Sequence, residues 1–323
     1  RKIGLVWRAG DWLVKFPGTT RNLQGSVPSY TTAPVSEWLG SHVYAALGIP
    51  VHETVLGIRD GRIVCACRDF TFPDSRLVNF HDLKNSLSDD EPGFTEDAST
   101  GSGVVLADVR SAIHRIPVLR SIDGVSDRFW DMFVVDAFIR NIDRNNTNWG
   151  VLRNPRGEFS LAPVYDNGNS FNNKRTDSGI ERRLANPDLI RQDALDVRSC
   201  YVTDRGKPIA PLKYLASGQD EECTKALDRF MERYDPRSFH DLLGSIPSMS
   251  HGLTVVPDGF HEYHRRVCDY RYEHAFMEAW RDLHPTVGVP SSPEASVPEP
   301  LPDPDPSVLP SSSVPTCFDG PGM

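Results

Sequence analysis

Three oxygen-bearing side chains stand in a telling order near the middle of this 323-residue sequence: Asp143, Asn148 and Asp166. Transfer of a phosphoryl group needs a carboxylate beside the acceptor hydroxyl and oxygen ligands for Mg²⁺ on the nucleotide phosphates. A loop carrying Asp143 and Asn148 aims one side chain at the acceptor and the other at the metal. A separate strand end brings Asp166 to the same ion from the other side. The residue types alone also fit a surface loop with two solvated aspartates, since Asp and Asn are common in loops.

The elements around these residues decide how much the spacing means. Trp130, Phe133, Val134, Ala137 and Phe138 recur at three- and four-residue steps, which predicts one face of a helix. That helix should stop near Arg140, where Asn141 opens a polar, turn-forming run. Gly150–Arg153 and Phe159–Ala162 read as short strands joined by Asn154-Pro155-Arg156-Gly157. The second strand delivers Tyr165-Asp166-Asn167-Gly168. A loop Asp, an Asn five residues on, a hairpin and an Asp beside Gly follow the protein-kinase arrangement.

Upstream, Lys2–Trp7 and Trp12–Phe16 read as strands around an Arg8-Ala9-Gly10-Asp11 turn. Lys15 lies between Val14 and Phe16, so its side chain faces away from theirs; a solvated strand lysine has the same pattern. Arg21–Pro34 is polar and loop-like. Ser36 is a candidate N-cap for a helix whose apolar face is Trp38, Leu39, Val43, Ala46 and Leu47, ending at Gly48. Glu37 would then sit in the first turn, either complementing the helix dipole or pairing with Lys15 over nucleotide phosphates. Val51–Arg59 and Arg62–Phe70 flank Asp60-Gly61, a strong hairpin signal. Cys67, Arg68, Asp69 and Phe70 would form the hinge that holds adenine with backbone groups, or simply end an ordinary strand.

The remaining chain sets bounds. Hydrophobic content of 39% and charged content of 24% suit a globular protein. A net charge of −9 argues against nucleic acid or an anionic membrane as the main partner. No apolar run approaches the ~18 residues of a membrane span. The 6 cysteines form no C-x-x-C pair, which points to a reducing cytoplasm; Cys65 and Cys67 should share one face of a strand and not bond each other. Arg1 opens the sequence without Met or signal peptide, as expected of a trimmed chain. Asn85–Gly103 reads as an acidic surface loop, and its Thr100-Gly101-Ser102-Gly103 lacks the Lys and preceding strand of a phosphate loop. Val104–Ile116, Gly179–Leu184, Asp188–Ala194, Asp220–Tyr234, Pro236–Leu243 and His261–Leu283 read as helices, with no internal repeat. His261, His264 and His274 could suggest a metal, but His261 and His264 lie in a charged helix with no matching Cys or acidic scaffold, which points to a solvated face. From Pro285 onward 11 of 39 residues are Pro, so this segment cannot bury a core and is expected to be a disordered tail.

Taken together, the chain resembles the HipA-like kinases, especially their stand-alone bacterial type. The matching stretches are Trp12-Leu13-Val14-Lys15-Phe16-Pro17, Ser36-Glu37-Trp38-Leu39-Gly40-Ser41-His42, Phe129-Trp130-Asp131-Met132-Phe133, Asn141 through Gly150, and Leu161-Ala162-Pro163-Val164-Tyr165-Asp166. They span roughly residues 2–285. The resemblance implies an α+β, two-lobed protein-kinase-like fold: a β-rich N-lobe over 1–70, a mostly helical C-lobe over 71–284, then the tail, 285–323. It implies ATP and Mg²⁺ as cofactors, Lys15 on the phosphates, Glu37 pairing with it, Asp143 as catalytic base, and Asn148 and Asp166 on the metal. It further implies a toxin-like or host-acting Ser/Thr kinase, autophosphorylating, with a protein substrate and an antitoxin or host protein as partner. It leaves open entry into host cells, a small-molecule or lipid acceptor, and a nucleotide-binding pseudokinase. Two departures stand out. Asn145 occupies the place of the family's His after Asp-Arg, and no Gly-rich phosphate loop precedes Lys2.

Overall fold

The computed structural model describes residues 1–19, 31–71, 73–88 and 103–285. Arg21–Tyr30, Thr100–Ser102 and nearly all of the expected tail lie outside them. The N-terminal region is a four-stranded antiparallel sheet in the order β1-β2-β4-β3, from Lys2–Trp7 (β1), Gly10–Lys15 (β2), Thr54–Arg59 (β3) and Arg62–Arg68 (β4). Helix α1, Ala33–Ala46, connects β2 to β3. Both hairpins turn on two residues with positive φ, Arg8 and Ala9 (47° and 54°) and Asp60 and Gly61 (52° and 66°). That backbone twist matches the twist of the flanking strands. The first turn is therefore shorter than expected, and Gly10 and Asp11 already pair with Trp7 and Val6. The predicted Val51–Arg59 and Arg62–Phe70 strands are trimmed to β3 and β4, because Val51 instead bridges to Val164, far along the chain.

α1 also departs from expectation. It begins at Ala33, ahead of Ser36, with Pro34 in its first turn. A proline suits that position because its missing N–H would have no helical partner there. Ser36 is thus inside the helix and buried, and Glu37 lies beyond the first turn. Ala46 is exposed, and Tyr44 takes its place on the buried face with Val35, Leu39, Val43 and Leu47.

The larger C-terminal region begins with β5 (Arg76–Asn79) and α2 (Phe80–Ser88), so part of the expected Asn85–Gly103 loop is helical. Next come β6 (Val104–Val105), α3 (Leu106–Arg115), α4 (Pro117–Arg120) and α5 (Val125–Ile139). The predicted helix start at Val104 is instead a short strand, paired in parallel with β9 (Tyr201–Val202). α5 ends at Arg140, whose φ of 57° terminates it, as expected. It starts earlier than its apolar stripe suggested and is buried on nearly all sides, including Phe129, Trp130, Val134, Phe138 and Ile139. β7 (Gly150–Arg153) and β8 (Phe159–Leu161) form the predicted hairpin and join β5 in the order β5-β7-β8. At Gly150 a Cβ would meet the Val78 carbonyl oxygen at 2.2 Å, so only glycine lets β5 and β7 approach this closely.

The remaining helices are α6 (Asp177–Leu184), α7 (Pro187–Leu195), α8 (Pro211–Ser217), α9 (Glu221–Arg233), α10 (Pro236–Gly244), α11 (Phe260–Arg271) and α12 (Met277–Leu283); Met249–Ser250 and Leu253–Thr254 form the small hairpin β10–β11. Thr176, Asn186, Asp220 and Asp235 cap α6, α7, α9 and α10, each side chain accepting from an amide of the first turn. A π-helical turn, Tyr272–Phe276, interrupts the predicted His261–Leu283 helix. One apolar cluster runs from α1 through α5 to α9, α10 and the C-terminal helices. The outer face of the N-terminal sheet has its own small cluster, Val14, Phe16 and Val64. The architecture is α+β with two lobes, a smaller β-rich one and a larger helical one.

Candidate active site

Strand alternation sends Val14 and Phe16 into the outer cluster and leaves Lys15 on the opposite face, above α1. Its ammonium nitrogen lies 2.9 Å from Glu37 Oε2 and 2.9 Å from Asp166 Oδ1. Glu37 is only 1% exposed, which rules out the dipole-only reading. Its second oxygen accepts from the Asn167 amide at 3.1 Å and lies 3.1 Å from His52 Nε2. Burial alone would push the Lys15 pKa down, but Glu37 and then Asp166 reverse this and hold it above its ordinary value. Burial alone would likewise raise the Glu37 carboxyl; Lys15, followed by the His52 hydrogen bond, holds it below the usual carboxylate range. The lysine and the glutamate are therefore both charged around neutral pH.

Small residues let the Asp166 segment reach α1. A Cβ on Gly168 would stand 3.0 Å from Glu37 Oε2, and one on Gly40 would stand 2.9 Å from Asn167 Cβ. Asn167 also donates to Ser41 Oγ at 3.0 Å, and Ser41 lies 3.2 Å from His52 Nε2. Asp166 itself has φ of 60°, a left-handed conformation uncommon for a residue with a Cβ. Val164 is stitched to the N-terminal region by the His52 amide and by its own amide donating to the Pro50 carbonyl, 3.0 and 2.9 Å.

The loop after α5 is organised by Arg144, 1% exposed. Its guanidinium donates to both carboxylate oxygens of Asp136 on α5, to the Asn148 and Tyr165 carbonyls, and to Asn167 Oδ1. Tyr44 donates to Asp136 as well, at 2.8 Å. Burial disfavours the Arg144 charge, but Asp136 outweighs it and holds the pKa well above its ordinary value. One cation thus ties together α5, the Asp143–Asn148 loop and the Asp166 turn.

On this frame the Asp143 carboxylate accepts from Asn145 Nδ2 at 2.9 Å and from Asn169 Nδ2 at 2.7 Å, one donor per oxygen. Asn145, the departure noted in the sequence, therefore orients Asp143. Asn148 donates its Nδ2 to the Asp143 carbonyl at 2.6 Å, so its Oδ1 is the atom left for a cation. That oxygen and the Asp166 carboxylate form an all-oxygen donor set, which fits Mg²⁺.

The four hinge residues differ in what they offer. Cys67 is buried, with its sulfur in a cluster with Glu37 and His52 whose ligand atoms lie within 4.8 Å of one another. The Arg68 and Asp69 amides already donate to the Glu53 and Asp11 carbonyls at 2.9 and 2.7 Å. The Arg68 side chain pairs with Glu53, and Phe70 lies against Tyr165 with ring centroids 5.5 Å apart. Sequence reasoning missed Asp136, Arg144, His52, Asn167 and Asn169 as parts of this network. Arg144 and Asn167 were within the motifs of the sequence, and Asn169 lay one residue past Gly168; His52 carried no local signal. Cys65 and Cys67 share the inner face of β4 as free thiols, as expected. The histidines correct another expectation. His274 is exposed and pairs with Glu278, but His264 is 3% exposed and packs against Phe260 and Phe171. His261 contacts the Ile246 carbonyl at 2.8 Å.

The profile of the HipA-like C-terminal domain matches residues 2–238, which includes Lys15, Glu37 and the whole Asp143–Asp166 segment. The chain belongs to the HipA-like family. Among its HipA-like relatives, the serine/threonine-protein kinase CtkA of Helicobacter pylori is 33% identical over 251 residues, covering 77% of this chain and 74% of that one. The crystal structure of the H. pylori proinflammatory kinase CtkA superposes with a TM-score of 0.75 at 28% identity, over 88% of this chain and 95% of that one. This kinship supports a kinase-type function for the HipA-like chain. Among the described residues no helix is long and apolar enough to cross a membrane.

Proposed function

We propose that the chain is an ATP-dependent protein serine/threonine kinase that uses Mg²⁺. The observation that carries this is the Lys15 ammonium held at 2.9 Å by both Glu37 and Asp166, residues 22 and 151 positions away. A solvated strand lysine needs neither partner. In this reading Lys15 steadies the nucleotide phosphates and Glu37 fixes Lys15. Asn148 Oδ1 and Asp166 would hold Mg²⁺, which supplies charge neutralisation at the phosphates. The acceptor hydroxyl oxygen bonds to the γ-phosphorus as the bond to the β–γ bridging oxygen breaks, and its proton passes to Asp143. The donors on Asp143 keep the carboxylate aimed throughout. Residues 1–70 form the nucleotide-facing lobe and 71–284 the large lobe, a division supported by the end of the sheet at Arg68. The adenine edge is met by the Asp69 carbonyl and the Phe70 backbone, because the Arg68 and Asp69 amides are already spent on the Glu53 and Asp11 carbonyls.

The test is incubation with labelled ATP and Mg²⁺, alone and with a generic protein substrate, followed by mapping of the phosphorylated residues. Label on Ser or Thr is expected, on this chain itself or on the substrate. Nucleotide binding without any transfer would reject the kinase and leave a pseudokinase.

A further inference from the structure

An open cavity of about 580 Å³ adjoins the Asp143 loop. Ile142, just before Asp143, lines it, and so does Asn169, which donates to Asp143 Oδ2 at 2.7 Å. Asn173, also on its wall, donates to the carbonyl of Gly168, two residues past Asp166. The cavity and the site of transfer therefore share their walls.

Its lining is cationic, with Arg140, Lys174, Arg175, Arg182 and Arg183. Not all of that charge is available. Arg175 and Arg183 both bind Asp193, which also accepts from Tyr263. Arg140 donates to the carbonyl of Asp196, whose carboxylate faces Arg198 at 3.7 Å. Asp143, bonded to Asn169 on the shared wall, and Asp177 and Glu181, exposed on α6, are other acidic groups close by. Lys174 and Arg182 are exposed and have no carboxylate partner among the described residues. Arg175 Nε is buried and, among the described residues, makes no hydrogen bond. On a chain of net charge −9 this concentration of positive charge runs against the average surface.

A compact cationic cavity with unused donors selects an anion, through charge-assisted hydrogen bonds that arginine makes in pairs to carboxylate or phosphate. It is a pocket for one anionic group, and a nucleic-acid backbone would call for an extended basic stripe. We propose that this cavity binds an acidic side chain of the protein substrate, an Asp, Glu or already phosphorylated residue lying a few positions from the acceptor hydroxyl. The proposal rests on Asp143 being the acceptor-side base, and it adds a substrate preference for acceptors in acidic surroundings.

The experiment uses fluorescent peptides, each with one Ser flanked by Asp, by phosphoserine or by Lys. Binding is read by anisotropy without nucleotide, and transfer is read with ATP and Mg²⁺. Wild type should bind the Asp and phosphoserine peptides about tenfold or more tightly than the Lys peptide. The Lys174→Ala/Arg182→Ala variant, altered only at exposed side chains and checked by its melting temperature, should lose that margin. The KM for ATP should not move. Lys174→Glu/Arg182→Glu should reverse the preference toward the Lys peptide. The ratio between Asp and phosphoserine peptides tells which anion is the better ligand. Equal binding of all three peptides, an equal loss of all three in the variant, or preferential binding of a single-stranded oligonucleotide would overturn the proposal. If acidic peptides bind through Lys174 and Arg182 but no peptide is phosphorylated, the anion site stands and the kinase reading falls. If all peptides are phosphorylated alike, the kinase reading stands and the anion site falls.

Discussion

Asp143 has a side-chain amide on each carboxylate oxygen, from Asn145 and Asn169. If Asp143 acts on the acceptor as proposed, removing its carboxylate should leave nucleotide binding intact. Asp143→Ala is expected to slow transfer about 10²–10⁴-fold with ATP affinity essentially unchanged. Initial rates beside a nucleotide titration check this, and a joint collapse of rate and affinity would remove Asp143 from the acceptor side. Asp166 allows a cleaner substitution than most residues. Its φ of 60° suits asparagine, which tolerates the left-handed region, so Asp166→Asn removes charge with little backbone penalty. Calorimetric titration of ATP should show wild type gaining strongly from Mg²⁺ and Asp166→Asn gaining much less. Equal gains in the two proteins would reject Asp166 as a metal ligand.

Among the elements, α11 carries a pH dependence that its sequence does not advertise. His264 sits in it against Phe260, Tyr263 and Phe171, and burial, with smaller contributions from Arg271, His261 and Arg175, lowers its pKa to about 3. An unfolded histidine titrates near ~6.5. Below that pH the unfolded chain takes up a proton that the folded chain refuses, so stability falls as pH drops from about 6.5 toward about 3, and above 6.5 the group contributes nothing. At pH 5 the loss from this residue is about 2 kcal/mol relative to pH 7. His264→Phe, which suits the aromatic surroundings, should lose about that much less between pH 7 and 5 in urea unfolding. Identical pH dependence in the two proteins would mean the His264 site opens to water. α5 shows the opposite lesson about elements. Its stripe of Trp130, Phe133, Val134, Ala137 and Phe138 was readable, but it is buried on nearly all sides because α3, α8, α9 and α11 pack around it and Tyr44 of α1 bonds to its Asp136.

Across the whole molecule, the two regions meet through charges. Lys15 comes from β2, Glu37 from α1 and Asp166 from the turn after the β7–β8 hairpin. If Lys15 and Glu37 were ordinary surface groups, each substitution would cost under about 1 kcal/mol and barely alter transfer. Paired at 2.9 Å, with Glu37 buried and Lys15 half-buried, they should act as one unit. Lys15→Met and Glu37→Gln should each lower the transfer rate strongly, and the double variant should be little worse than the poorer single. A double-mutant cycle on initial rates reads that coupling. Strictly additive losses, or a near-wild-type rate in either single variant, would break the assignment of Lys15 to the phosphates.

The sequence by itself determined the order and kind of the chemistry-bearing segments. Residue alternation put Lys15 opposite Val14 and Phe16, the Asp60-Gly61 turn specified its hairpin, and the polar run from Asn141 ended α5. These are local properties, set by neighbours within a few positions. Tertiary structure decided what those segments meet. It set the start of α1 ahead of Ser36, the pairing of Val104–Val105 with Tyr201–Val202, and the burial of His264. It also recruited His52 to Glu37 and placed Asp136 and Arg144 at the junction of α5, the Asp143–Asn148 loop and the Asp166 turn. Hydrogen bonds and ion pairs of that kind join residues up to 151 positions apart. Their geometry follows from how the core packs, and a reading of neighbouring residues contains no information about that distance.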